Sequence, residues 1–203
     1  MIEACQEARH SRAGRPLILA SASPRRRELL TILVADFQVC PADIDERPRA
    51  GEAPDDYVLR LAVEKARAVA ETSPQCWIIG SDTEVVRDGV CLGKPRDEVQ
   101  ACEMLRGLSG RSHRVYSSVA LVGPDSSTKT ALCESVVRFE PLPEDWIGRY
   151  AASGEPLDKA GGYAIQGPAA AWISNLCGSY SGVVGLPLFE TGVLLRQAGL
   201  LRD

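Results

Sequence analysis

Residues 17–33, LILASASPRRRELLTIL, contain the pattern that decides the fold. The apolar run at residues 17–20 is typical of a short buried strand, and the leucine-containing stretch after residue 24 favours a helix. Ser23 suits the N-cap of that helix and Pro24 suits its first position. A strand that passes directly into a helix indicates an α/β protein.

The alternation of strands and helices continues along the chain. The spacing of apolar residues predicts helices that begin near residues 54 and 97 and further helices over 144–152 and 187–197. Strands are predicted over 77–80, 115–122 and 131–139, with a hairpin over 85–92 and a strand pair before the last helix. The fold class is therefore mixed α/β, with one domain over residues 16–203. Residues 1–15 are expected to form a flexible tail.

Composition excludes several classes of protein. The 203 residues include 23 basic and 27 acidic side chains, for a net charge of −4, which argues against nucleic-acid or membrane-surface partners. No apolar run reaches the roughly 18 residues of a membrane span. His10 and His113 are the only histidines, so a histidine-rich zinc site is excluded. Seven dispersed cysteines and no export signal in the first 15 residues predict reduced thiols and a cytoplasmic location.

The basic turn at residues 23–27, SPRRR, is unusual for the start of a helix. A helix N-terminus carries a partial positive charge, so arginines there are disfavoured unless an anion is bound. Serine hydroxyls, free backbone N–H groups and guanidinium groups together favour a phosphate site. The alternative is a solvated basic turn. The phosphate-binding pattern G-x-x-x-x-G-K-[ST] does not occur anywhere in the chain.

Two further charged residues stand out from their surroundings. Lys65 falls on the helix face shared by Val58, Leu61 and Val69, so it either extends to solvent or faces a negatively charged partner. Asp82 comes soon after the predicted strand over 77–80, at the end of the sheet where α/β proteins collect ligands. Together with Asp45 and Glu46, it would supply enough carboxylates for a cation such as Mg²⁺.

Six short motifs resemble, in chain order, the signature of the Maf family of nucleoside triphosphate pyrophosphatases. They are LASASPRR at 19–26, SDT at 81–83, LGKP at 92–95, LSGR at 108–111, GEPLDKAG at 154–161 and VGLP at 184–187. The resemblance covers almost the whole chain, from about Pro16 to Leu200. It implies an elongated mixed-sheet α/β fold of two lobes with a central cleft, similar to inosine triphosphate pyrophosphatases.

The resemblance also implies an activity, which is cleavage of a nucleoside triphosphate to the monophosphate and pyrophosphate with a divalent cation, Mg²⁺ or Mn²⁺. It makes Asp82 the proton acceptor for the attacking water, and Asp82 with Glu46 the metal ligands. A homodimer is also expected. The phosphate contacts that it implies are Ser21, Ser23, Arg25, Arg26, Lys65 and Lys94.

The loop over residues 158–167 is similar to the branch of this family that acts on dTTP and UTP. In that branch Arg26, Thr83 and Gln166 are the specificity positions, and a glutamine amide suits the O4 and N3–H edge of uracil or thymine. Two alternatives remain, namely a 7-methylguanosine triphosphate pyrophosphatase and a non-catalytic nucleotide-binding regulator of septum formation. Glu84 departs from the family pattern, and strand alternation places it on the same face as Asp82.

Overall fold

The computed structural model describes residues 16–201, so the predicted tail over residues 1–15 lies outside the described residues. Strands and helices alternate over the first four elements, two pairs of strands divided by a helix follow, and a helix, a last strand and two helices end the described chain. The elements are β1 (Leu17–Leu19), α1 (Pro24–Thr31), β2 (Gln38–Val39), α2 (Pro54–Thr72), β3 (Trp77–Arg87), β4 (Val90–Cys91), α3 (Glu98–Leu108), β5 (Ser112–Val122), β6 (Thr128–Phe139), α4 (Glu144–Ala152), β7 (Ile173–Cys177), α5 (Tyr180–Val184) and α6 (Leu188–Gln197).

All the described strands belong to one mixed sheet. Its order is β2-β1-β3-β5-β6-β7, and the short strand β4 pairs with the end of β3. The strand β1 is parallel to both of its neighbours, whereas the pairs from β3 through β7 are antiparallel. This arrangement confirms the mixed α/β class. No helix in the described part of the chain is long and apolar enough to cross a membrane.

Local chemistry explains why β1 passes so abruptly into α1. The three residues of β1 are at most 2% exposed, as expected for a strand with a neighbour on each side. Oγ of Ser23 accepts a hydrogen bond from the backbone N–H of Arg26, and Pro24 occupies the first turn. The predicted cap is therefore confirmed. Helix α1 begins at Pro24, five residues after the carboxyl end of β1.

The sequence pattern placed the end of β3 too early. Strand β3 does not stop near Gly80 but continues to Arg87, so Asp82 lies inside the strand rather than after it. The reason is that β5 pairs with β3 as far as Val86, whereas the pairing with β1 ends at Ile79. Asp82 therefore still projects beyond the carboxyl end of β1. The predicted strand pair before the last helix is also wrong, since β7 is followed directly by α5.

Helix α2 packs very closely on β3, and this contact positions the site. A Cβ atom at Gly80 would overlap the carbonyl oxygen of Ala62, so glycine is required for the helix to approach the strand. Ala62 and Ala66 are fully buried in the same contact. Lys65 lies one turn after Ala62, and Asp82 lies two residues after Gly80. The close packing therefore brings a helix cation next to a strand carboxylate.

Candidate active site

A cleft of about 510 Å³ opens beyond the end of β1, and every residue that the family resemblance implies for the site lines it. The ten residues come from α1 and its approach, α2, β3 and three loops. They are Ser21, Ser23, Arg25, Arg26, Glu46, Lys65, Asp82, Thr83, Lys94 and Gln166. This convergence concerns position, and the role of each residue remains a prediction.

Lys65 forms the centre of a three-residue ionic cluster in the cleft. Its Nζ lies 2.7 Å from Oδ1 of Asp82 and 3.0 Å from Oε1 of Glu46. The side chains of Lys65 and Asp82 are each 9% exposed, whereas that of Glu46 is 53% exposed. Lys65 therefore does not extend to solvent, and the alternative of a partner inside the cleft is confirmed.

The Arg26 side chain extends from the first turn of α1 across the cleft to Gly185. Its Nε donates to the carbonyl oxygen of Gly185 at 2.8 Å, and its Nη1 donates to Oγ of Ser21 at 3.4 Å. Burial lowers the pKa of the Arg26 guanidinium, while Asp82 and Glu46 raise it. An arginine remains protonated under such conditions. The result is a fixed positive charge beside two hydroxyls and the N-terminus of a helix.

The three arginines of α1 have different surroundings. Nη1 of Arg25 pairs with Oδ2 of Asp158 at 3.1 Å, and Nζ of Lys159 lies 2.6 Å from Oδ1 of the same carboxylate. This contact joins α1 to the loop that carries Gln166, at the rim of the cleft. Arg27 is exposed and does not line the cleft. The alternative of a solvated basic turn therefore describes Arg27 alone.

Glu84 lies on the same face of β3 as Asp82, as strand alternation predicts. It is 6% exposed, and its Oε1 accepts hydrogen bonds from the backbone N–H groups of Gly93 and Val85 at 2.8 and 3.1 Å. Burial raises the pKa of Glu84 to about 7, and the nearby charge of Asp82 adds to the rise. Glu84 therefore anchors the loop that carries Lys94, which is itself exposed in the cleft.

The carbonyl oxygen of Gly185 collects hydrogen bonds from several parts of the site. Besides Arg26, Oγ of Ser81 and Oγ1 of Thr83 each donate to it at 3.2 Å. Oγ1 of Thr83 also lies 2.9 Å from Oγ of Ser117. Gly185 has a φ of +141°, which only glycine adopts without strain. Two predicted specificity residues, Arg26 and Thr83, are thus joined through one backbone atom.

Tyr57 and Gly185 are among the cleft residues that the sequence did not predict. Tyr57 lines the cleft from α2, but its spacing to Leu61 is that of an ordinary core position, so the sequence carried no signal for it. Gly185 belongs to the VGLP motif, which was noticed but given no role. The third predicted specificity residue, Gln166, is exposed on the loop that forms the opposite rim.

The carboxylates of the cleft meet only part of the requirements of a divalent cation. Within residues 16–201, no group of three or more histidine, cysteine, aspartate or glutamate side chains could hold a metal by itself. Asp45 pairs with Arg47 and does not line the cleft. Magnesium is commonly held by one or two carboxylates together with substrate phosphates. Asp82 and Glu46 fit a cation that is shared with a bound polyphosphate.

The fold and the site together define a mixed α/β protein whose cleft places the cations Arg26, Lys65 and Lys94 beside the carboxylates of Asp82 and Glu46. The family model described as Maf-like protein matches residues 16–198. This match covers nearly all of the chain, and the chain belongs to the Maf-like family.

Curated relatives resemble the chain over nearly its full length. A protein of Myxococcus xanthus is 53% identical over 184 residues, which are 91% of this chain and 93% of that protein. A protein of Novosphingobium aromaticivorans is 51% identical and covers 91% of this chain and 92% of its own length. One of Shewanella oneidensis is 50% identical and covers 91% and 99%. Each is named dTTP/UTP pyrophosphatase.

Solved structures resemble the chain only in part. The Ham1 protein of Staphylococcus aureus has 16% identity and a TM-score of 0.46, over 62% of this chain and 72% of that protein. A nucleoside triphosphatase of Mycobacterium abscessus, described as a dITP/XTP pyrophosphatase, has 18% identity and a TM-score of 0.41, over 63% and 76%.

Proposed function

We propose that this protein is a nucleoside triphosphate pyrophosphatase that hydrolyses dTTP and UTP to the nucleoside monophosphate and pyrophosphate. The observation that carries the proposal is the ionic cluster of Lys65, Asp82 and Glu46 beside the N-terminus of α1. The same cleft therefore holds cations that can bind a triphosphate and a carboxylate that can accept a proton from water. The names of relatives about 50% identical to the chain support the same activity.

In the proposed reaction, one set of residues binds the triphosphate and another residue accepts a proton. Phosphoryl transfer depends mainly on positioning and charge stabilisation. The positive charges that neutralise the triphosphate belong to Arg25, Arg26, Lys65 and Lys94, and the hydroxyls of Ser21 and Ser23, which precede α1, help to orient it. Asp82 accepts a proton from the water that attacks the α-phosphorus. A bond forms between that oxygen and the α-phosphorus, the bond to the bridging oxygen breaks, and pyrophosphate leaves with the bonding electrons.

A divalent cation completes this scheme. Mg²⁺ or Mn²⁺, when bound, supplies further neutralisation of the phosphates, and Asp82 and Glu46 are the residues that would hold it. Lys65 pairs with both carboxylates in the protein without substrate, and from this position its Nζ can also contact the substrate phosphates. A bound cation and Lys65 would then together offset the negative charges of the two carboxylates and of the substrate phosphates.

In this proposal, selection of uracil or thymine over other bases depends on Gln166 at the rim of the cleft, together with Arg26 and Thr83. The Gln166 amide can donate to O4 and accept from N3–H of uracil or thymine, while Arg26 and Thr83 are held in place by Gly185. Guanine presents a similar pair of groups, O6 and N1–H, on a larger two-ring base, so selectivity over GTP depends on the size of the base that fits beside Gln166 as well as on these hydrogen bonds. The expectations of a homodimer, a cytoplasmic location and no nucleic-acid partner belong to this proposal as well.

Pyrophosphate release across a panel of nucleoside triphosphates tests the proposal. The panel contains dTTP, UTP, GTP and 7-methylguanosine triphosphate, each with Mg²⁺, with Mn²⁺ and with a chelator. Metal-dependent release that is fastest with dTTP and UTP is the expected result. Preference for 7-methylguanosine triphosphate would overturn the assignment of the base. Binding of nucleotide without release would identify a regulator instead of an enzyme.

A further inference from the structure

The segment that carries Glu46 contains no helix or strand. Residues 40–53 connect β2 to α2 as an irregular loop, and the Glu46 side chain is half-exposed. Its carboxylate nevertheless lies 3.0 Å from Nζ of Lys65. An irregular loop loses conformational freedom when it is ordered, so specific contacts must hold Glu46 in this place.

The first of these contacts comes from Tyr57 in α2. Its hydroxyl donates a hydrogen bond to the backbone carbonyl oxygen of Glu46 at 2.8 Å. The tyrosine is 8% exposed, so its ring is fixed among Val58, Leu61 and neighbouring apolar groups. The contact is made to the backbone of Glu46, and it therefore restrains the loop while it leaves the carboxylate free to face the cleft.

The second set of contacts comes from Arg60, one turn further along α2. Its Nε and Nη2 donate to the two carboxylate oxygens of Glu52 at 2.5 and 2.7 Å, and its Nη2 donates to the carbonyl oxygen of Arg47 at 3.2 Å. The side chains of Arg60 and Glu52 are only 12% and 10% exposed. The geometry of a bidentate pair, with two parallel hydrogen bonds, leaves the two part-buried side chains little freedom to rearrange.

Helix α2 therefore holds both members of the ion pair between Lys65 and Glu46. Lys65 projects from the helix itself, and Tyr57 and Arg60 attach the loop at residues 46, 47 and 52. The guanidinium carbon of Arg60 also lies 5.5 Å from the ring centre of Tyr57, so the two attachments support one another.

We propose that Tyr57 and Arg60 are positioning residues for the reaction: they hold the irregular loop so that the Glu46 carboxylate faces Lys65 and the phosphates. This inference rests on the proposed function, because it assumes that Glu46 takes part in hydrolysis. A group that is already in place adds to the rate without an ordering cost in the transition state. The effect of Tyr57 and Arg60 is thus exerted through Glu46.

A double-mutant cycle tests this dependence. Tyr57→Phe removes one hydroxyl and keeps the ring, so we expect kcat for dTTP with Mg²⁺ to fall about 3- to 10-fold, as for the loss of one hydrogen bond. KM should change less than about twofold if phosphate binding by the cations is untouched. In a Glu46→Gln background the same substitution should leave kcat unchanged. Equal losses in both backgrounds would overturn the inference.

Tyr116→Phe is the matched control. Tyr116 packs against the same apolar cluster as Tyr57, but it projects from β5 and does not line the cleft. Its loss of a hydroxyl should leave kcat at the wild-type value. A fall equal to that of Tyr57→Phe would mean that any disturbance of the cluster slows the enzyme, and it would count against positioning.

Amide hydrogen exchange provides a readout that does not depend on activity. Arg60→Lys keeps the charge but cannot form the bidentate pair with Glu52, so exchange at residues 44–52 should become faster while α2 keeps its protection. Unchanged exchange would overturn the inference. The proposed function fails separately, if the wild type releases no pyrophosphate. Wild-type release together with a fully active Glu46→Gln would leave the loop nothing to position and would also reject the inference.

Discussion

Nζ of Lys65 lies 2.7 Å from Oδ1 of Asp82 in a contact from which most water is excluded. The two residues come from α2 and β3, which meet closely because Gly80 has no side chain. Burying an ion pair brings little net stability, since both charges lose their hydration. Stability alone therefore does not account for the pair, and its place is consistent with a role in function, where a cation and a carboxylate must face the same ligand.

Replacement of the proposed proton acceptor separates binding from catalysis. Asp82→Asn keeps the size of the side chain but removes its charge, so kcat should fall by about 10²- to 10⁴-fold, the usual contribution of a general base. Nucleotide affinity should change by less than about tenfold, because the cations remain. Steady-state kinetics and equilibrium binding measure the two effects. The control is Asp88→Asn, in the exposed turn after β3, and hydrolysis by Asp82→Asn at the wild-type rate would reject the assignment.

Removal of the cation should destabilise the protein through its buried partner. Lys65→Met leaves Asp82 without its nearest positive charge, and we expect the free energy of unfolding to fall by about 3 kcal/mol. The double variant Lys65→Met with Asp82→Asn should recover at least about 1 kcal/mol. Lys94→Met, a change at an exposed lysine of the same cleft, should stay within about 0.5 kcal/mol. Denaturant unfolding measures all three variants. A double variant that is no more stable than Lys65→Met would contradict the coupling between Lys65 and Asp82.

Two glycine substitutions should have opposite effects on stability. Gly80→Ala forces a methyl group against the backbone of α2, so the free energy of unfolding should fall by about 3 kcal/mol or more. Gly148→Ala lies in α4 with open space around the new atom, and it should raise stability by about 0.5–1 kcal/mol. Thermal unfolding distinguishes them. A neutral Gly80→Ala would show that the helix can move away from β3 at little cost.

Selectivity among bases should depend on the rim of the cleft. Gln166→Ala removes the amide proposed to recognise uracil and thymine, so kcat/KM for dTTP should fall about tenfold, the loss expected for one or two hydrogen bonds. The value for GTP should change little, and the ratio of the two is the quantity to measure. An unchanged ratio would remove Gln166 from the recognition of the base.

Acid should destabilise the protein through His113. Burial lowers the pKa of His113 from 6.5 to about 4. Its Nε2 lies 2.7 Å from the hydroxyl of Tyr163, and Nδ1 has no hydrogen-bond partner among the described residues. As the pH falls from about 6.5 to 4, the unfolded chain binds a proton that the folded protein does not, so stability is lost over this window. The loss is up to about 3 kcal/mol.

Chemical unfolding at several pH values checks this linkage. His113→Gln keeps a hydrogen-bonding side chain but does not titrate, so its stability should decline less than that of the wild type between pH 6.5 and 4. Below pH 4 the two curves should run parallel, because His113 is then protonated in both states of the wild type. Identical curves over the whole range would show that His113 is not the group responsible.

Local chemistry explains which parts of the fold the sequence revealed. The cap formed by Ser23, the first turn at Pro24 and the apolar face of α2 each depend on neighbours within a few residues, and all three were predicted. The end of β3 was not, because its length depends on pairing with β5, whose partner residues lie 28 to 44 positions away. No local pattern records such a partner.

By itself, the sequence determined the inventory of the cleft. Six motifs and two anomalies, the basic turn at α1 and the lysine on an apolar face, identified the charged residues that the cleft brings together except Glu46 and Glu84, which were noted as separate acids. Only the tertiary structure decided their partners. It paired Lys65 with Asp82, directed Arg25 to Asp158 and assigned Tyr57 and Arg60 to the loop of Glu46. The sequence gives the type of each residue, but the partners of that residue depend on how distant segments pack in three dimensions.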